Sequence, residues 1–117
     1  MGRSIDIDIR FADRRLAESC LSEAACQRRW GKDRCRLLQR RLQSLAAADT
    51  LSDMTNVPGH CHALRGDRHG EYAIDLWGPI RLIFETANEP VPLKVDGGTD
   101  ITKVTAIRIK EVADYHD

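Results

Sequence analysis

With 117 residues, 42% of them hydrophobic and 31% charged, the chain has the composition of one folded domain, which excludes both intrinsic disorder and a second core. Its 18 basic and 18 acidic side chains cancel, which argues against a strong nonspecific hold on nucleic acid. No apolar run approaches the roughly 20 residues of a membrane span, and the opening MGRSIDIDIR lacks the apolar stretch of a signal peptide, so a cytoplasmic protein is expected.

Ile5, Ile7, Ile9 and Phe11 alternate with Asp6, Asp8 and Arg10, the period of a half-buried strand. Asp13 fits the N-cap of a helix in which Leu16, Cys20, Leu21 and Ala24 recur at helical spacing, ending near Trp30-Gly31. A second helix is predicted from about Asp33 to Ala48, with Cys35, Leu38, Leu42 and Leu45 on one stripe. Arg28, Arg29, Lys32, Arg34, Arg36, Arg40 and Arg41 crowd this region against the single acid Asp33, a pattern that suits either a phosphate-binding face or a solvated one. Cys20, Cys26, Cys35 and Cys61 form no CxxC pair and fit reduced thiols, those on the helical stripes serving as packing residues. Thr50 to Met54 starts one more helical turn before Pro58-Gly59 breaks it.

Beyond Gly59 the pattern becomes strand-like. His60, His62 and Leu64 share a face, the Gly66-Asp67 and His69-Gly70 steps mark a turn, and Tyr72, Ile74 and Leu76 form the next apolar face. Trp77 beside the Gly78-Pro79 turn is expected to pack. Ile80, Leu82 and Phe84 point one way while Arg81, Ile83 and Glu85 point the other, making Glu85 a same-face ion-pair partner for Arg81. Residues 87–100 read as a loop or irregular hairpin. The last strand, about Thr102 to Val112, slips phase between Ala106 and Ile107, which predicts a bulge or a central strand buried on both faces. Its apolar pattern ends at Val112, so residues 114–117 are expected to add little burial. The fold class is α+β: an N-terminal strand and two helices on one face of a small, twisted, mainly antiparallel sheet, in a single domain over residues 1–117.

The stretch HALRGDRHG at 62–70, Arg81 and the terminal Asp114-Tyr115-His116 bring imidazoles, a phenol, a carboxylate and guanidinium groups to strands of one sheet. That set suits metal-free cleavage of RNA by its own 2'-hydroxyl, which needs a base, an acid and cations around the crowded phosphate. His62 and His116 are the proton-transfer candidates, Tyr115 and Asp114 the helpers, and Arg81 with Arg65 or Arg68 the charge. Arg36, Arg40 and Arg41 are expected to touch an RNA backbone or an acidic partner segment rather than the scissile phosphate. Two other classes remain: a zinc site from His60, Cys61, His62 and His69, whose HxH pair would aim both rings to one side of a strand, and a noncatalytic binding protein.

The chain resembles the HigB-type toxins of the RelE/ParE superfamily, in the order and spacing of RRLQSLAAADTLSDM, CHALRGDRHGEYAIDL, PIRLIFE and IRIKEVADYHD. The resemblance implies a RelE-like fold and a ribosome-dependent mRNA endoribonuclease that needs no cofactor. It also implies active-site roles for His62, Asp114, Tyr115 and His116, with Arg81 as the arginine of the penultimate strand. The implied partners are a HigA-like helix-turn-helix antitoxin, the ribosome and mRNA; a noncatalytic ParE-like inhibitor is the alternative on the same fold. Asp117, the longer 87–100 loop and the zero net charge depart from the family pattern.

Overall fold

A computed structural model describes residues 6–115; Ile5, His116 and Asp117 lie outside the described residues. Strand β1 (Asp8–Phe11) continues an alternation in which Ile7 is buried and Ile9 half-buried while Asp6, Asp8 and Arg10 face out. Asp13 caps α1 (Arg14–Leu21), its carboxylate accepting from the Leu16 N–H at 2.8 Å. The single helix expected to run to Trp30 is two helices. Ser22 ends α1 by donating its N–H to the Glu18 carbonyl, and its hydroxyl then caps α2 (Glu23–Trp30) by accepting from the Ala25 N–H at 3.2 Å. Hydrophobic spacing runs on through this break because a serine cap is a local competition for backbone groups that periodicity does not register. Gly31, at φ 89°, makes the next turn. In α3 (Lys32–Ala47), Cys35, Leu38, Leu42 and Leu45 form the buried stripe that their spacing predicts. A 3-10 segment, Leu51–Asn56, buries Leu51 and Met54.

The remaining strands are β2 (His62–Ala63), β3 (Glu71–Asp75), β4 (Ile80–Thr86) and β5 (Ala106–Asp114). They form one sheet in the order β1-β5-β4-β3-β2, parallel only between β1 and β5. Ala106 and Ile107 are both buried because β5 is central at that point, flanked by β1 and β4. The bulge lies further on: Phe84 pairs with Ile109 but Ile83 pairs with Glu111, leaving Lys110 as the extra residue and the side chains of Lys110 and Glu111 on one face.

Tyr72, Ile74, Leu82, Phe84, Ile107 and Ile109 pack against Leu16, Cys20, Leu38, Leu42 and Leu45 from the helices to form the main core. Trp77 joins its margin, 6.3 Å from Trp30 between ring centroids. Burial pushes the thiols of Cys20 and Cys26 up to about 11 and about 12, leaving them packing residues that are protonated at neutral pH. On the opposite face, open to solvent, Leu64, Ala73 and Ile83 make a small second cluster. Tyr115 packs on that cluster. The end of the chain therefore does add burial, a correction to the apolar pattern ending at Val112: an aromatic ring one residue beyond a strand can fold back over its neighbours without any periodic signal. Among the described residues no helix is long and apolar enough to cross a membrane.

Candidate active site

Cross-strand register gathers the candidates on the open face. His62 sits opposite Ala73, Ala73 opposite Ile83, and Arg81 opposite both Asp75 and Ala113. His62 Nδ1 lies 2.8 Å from the backbone carbonyl of His60. A carbonyl only accepts, so Nδ1 carries a proton; Nε2, the other ring nitrogen, is buried. The two imidazoles stack at 4.5 Å and 25°. His60 has φ 50° and lies before the strand, so the two rings expected on one side of a strand do come together, but only His62 belongs to the strand.

Arg81 is held from three directions. Its Nη1 donates to the carbonyls of Gly78 at 2.9 Å and Ile80 at 3.1 Å, and its Nε lies 2.9 Å from Asp75 Oδ1. Asp75, rather than Glu85, is its ion-pair partner, because the cross-strand neighbour in register is nearer than the residue four positions along the same strand. Glu85 instead meets Arg108 at 3.0 Å and Lys110 at 3.7 Å. Asp75 is in turn fixed through its backbone: its N–H donates to the Gly59 carbonyl at 2.7 Å, and its carbonyl accepts from Arg41 Nε at 3.2 Å.

Gly59 is required where it stands. At φ 120°, an added Cβ would come within 2.8 Å of Ile74 Cγ2 and 3.2 Å of Arg41 Nε. Gly59→Ala is expected to cost about 1–3 kcal/mol, seen as a lower urea midpoint with an unchanged slope.

The other open-face cations are also engaged. Arg68 bridges Glu71 at 2.7 Å and Glu111, and its guanidinium lies 5.8 Å from the centre of the Tyr115 ring. Lys110 reaches Glu71 at 2.9 Å, and Arg10 pairs with Asp8 at 2.9 Å. Arg68 thus braces this face between two carboxylates. Burial disfavours the charge on Glu71, but hydrogen bonds from Lys110 and Arg68 outweigh it and hold the carboxyl below the usual glutamate range. A depressed carboxyl pKa adds stability above the unfolded value, about 4.3, and that stability is lost as pH falls through the folded value. Because the Glu71 side chain is only 14% exposed, Glu71→Gln should lose on the order of 1–3 kcal/mol at pH 7. The gap between mutant and wild type should narrow in urea melts taken at progressively lower pH.

The remaining candidates are scattered. Arg65 is exposed at the start of the Gly66–Arg68 turn. Arg36 and Arg40 are exposed on α3, Arg36 lying 3.7 Å from Asp33, whereas Arg41 is half-buried and donates through Nε to the Asp75 carbonyl. Asp114 pairs with Ile80 and so belongs to the register row of the helix-covered face, not to that of Arg81. His116 lies outside the described residues. Among those described, no three His, Cys, Asp or Glu side chains converge on a metal position, and Cys61 is pushed up to about 12 by burial. Asp75 and the bracing role of His60 were missed from sequence, since an acid on the outward side of a strand reads as ordinary surface.

No family model and no curated relative matches the chain. A solved structure of a YoeB–YefM complex from Staphylococcus aureus matches with a TM-score of 0.57 at 14% identity, over 95% of this chain and 98% of that one. The structure of a YoeB dimer from the same organism matches with a TM-score of 0.54 at 15% identity, over 96% and 99%. At these identities the likeness is one of architecture, and the chain has the α+β, RelE-like fold of the YoeB structures.

Proposed function

We propose that the chain is a HigB-type toxin of the RelE/ParE superfamily, an endoribonuclease that cuts mRNA held on the ribosome. One observation carries the reading: His62, oriented by its bond to the His60 carbonyl, the anchored guanidinium of Arg81 and the ring of Tyr115 share one face of the sheet. In the reaction, His62 Nε2 accepts the proton of a 2'-hydroxyl as that oxygen bonds to phosphorus. The bond from phosphorus to the 5'-oxygen breaks, and the leaving oxygen takes a proton from Tyr115 or His116. The products are a 2',3'-cyclic phosphate and a 5'-hydroxyl, and Arg81 offsets the charge that builds on the phosphate oxygens. The chemistry needs no metal, because the nucleophile belongs to the RNA.

A HigA-like helix-turn-helix antitoxin is the proposed protein partner; the YoeB–YefM complex of the S. aureus protein supports an antitoxin on this fold. Primer extension on translating ribosomes tests the activity: wild-type protein should produce discrete stops inside the message. One feature favours the noncatalytic alternative, in that each cation named on the open face is matched by a carboxylate. A pure binding protein would leave the message uncut while still engaging its partner.

A further inference from the structure

We infer that Asp75 is the positioning residue of this site, setting the Arg81 guanidinium and bracing the His60–His62 pair from one carboxylate; the assignment rests on the ribonuclease reading above. Oδ1 lies 2.9 Å from Arg81 Nε, an ion pair without the alignment of a hydrogen bond, and Oδ2 lies 3.9 Å from His60 Nδ1, a charge contact made when that imidazole is protonated. His60 passes the constraint on twice: its ring stacks on His62, and its carbonyl holds the His62 Nδ1 proton. Phosphate-binding cation and base are therefore tied to the same side chain.

The arrangement positions Arg81 without masking it. Asp75 takes the Nε side and the Gly78 and Ile80 carbonyls take Nη1, so among the described residues Nη2 is the donor left for a phosphate oxygen. A carboxylate meant to block the arginine would sit across the Nη1–Nη2 edge. Asp75 itself has little freedom, because its strand pairing, the Gly59 carbonyl and the Arg41 side chain fix its backbone. Preorganisation of this kind acts on the charge that develops in the transition state, so its loss appears in kcat more than in KM.

The test compares Asp75→Ala, Asp75→Asn and Arg81→Ala in two assays of the full chain. In cleavage of ribosome-bound message, Asp75→Ala should lower kcat by about tenfold or more with a smaller change in KM. Asp75→Asn keeps an oxygen of the same reach and should recover part of that loss. Without substrate, the Arg81 Nε–H resonance should stand apart from those of exposed arginines in the wild type, collapse among them in Asp75→Ala, and stay distinct in Asp75→Asn. An unchanged Arg81 signal in Asp75→Ala, or an Asp75→Ala protein that cleaves as fast as or faster than wild type, overturns the assignment. A wild type that shows the anchored Arg81 signal but cuts no RNA overturns the ribonuclease reading instead.

Discussion

His62→Gln is expected to slow RNA cleavage by about a hundredfold or more while leaving the fold intact. Glutamine approximates the reach of the ring but places its amide near the Nε2 position, so the Nδ1 bond to the His60 carbonyl at 2.8 Å is lost without leaving a charge or a cavity in the core. What it lacks is a basic nitrogen to take the 2'-hydroxyl proton. Single-turnover rates on ribosome-bound message, with circular dichroism as the folding control, separate the two effects. Arg81→Ala should fall in the same range because it removes the cation for the pentacoordinate phosphate, but it also strands the Asp75 carboxylate that it now neutralises. The histidine variant is therefore the cleaner comparison.

The second large effect concerns the end of the chain. Deleting residues 114–117 is expected to abolish cleavage and also to lower stability by about 1–3 kcal/mol, since Tyr115 covers Leu64, Ala73 and Ile83 on the open face. The deletion also removes the Asp114–Ile80 end of the β4–β5 ladder and the Tyr115 N–H bond to the Pro79 carbonyl at 3.2 Å. Tyr115→Phe separates the two losses. It keeps the ring over the second cluster and under the Arg68 guanidinium but removes the hydroxyl. Its melting should match the wild type, and its cleavage rate should drop strongly only where the phenol is the proton donor to the leaving oxygen. A large loss in Tyr115→Phe assigns that role to Tyr115, and a small one assigns it to His116.

Hydrophobic periodicity made the core legible: the α3 stripe, the inward alternation of β1, the faces of β3 and β4 and the doubly covered β5 all follow from spacings of 3.6 and 2 residues. The Asp13 cap was legible for the same reason, since it immediately precedes a periodic run. Features set by single polar contacts were not. Ser22 divides a continuous helical pattern with one hydroxyl, the bulge falls at Lys110 rather than at the phase slip, and Tyr115 folds back over a cluster that no periodicity links to it. In the candidate site, residue types pointed to His62 and Arg81. The carboxylate that anchors Arg81 depends on cross-strand register, and register is fixed only once the sheet is assembled. The same applies to the zero net charge, which in the sequence argues against nucleic acid and in the fold is an alternating ladder of pairs from Arg108 through Glu85, Lys110 and Glu71 to Arg68.

Identification of both new RNA ends, after incubating the purified protein with ribosomes stalled on a defined message, tests the proposed chemistry most directly. The expected result is a 2',3'-cyclic phosphate, or the 3'-phosphate it hydrolyses to, paired with a 5'-hydroxyl, with both ends absent when His62→Gln is used. A 5'-phosphate at the cut, or an intact message on ribosomes to which the protein is bound, would contradict it.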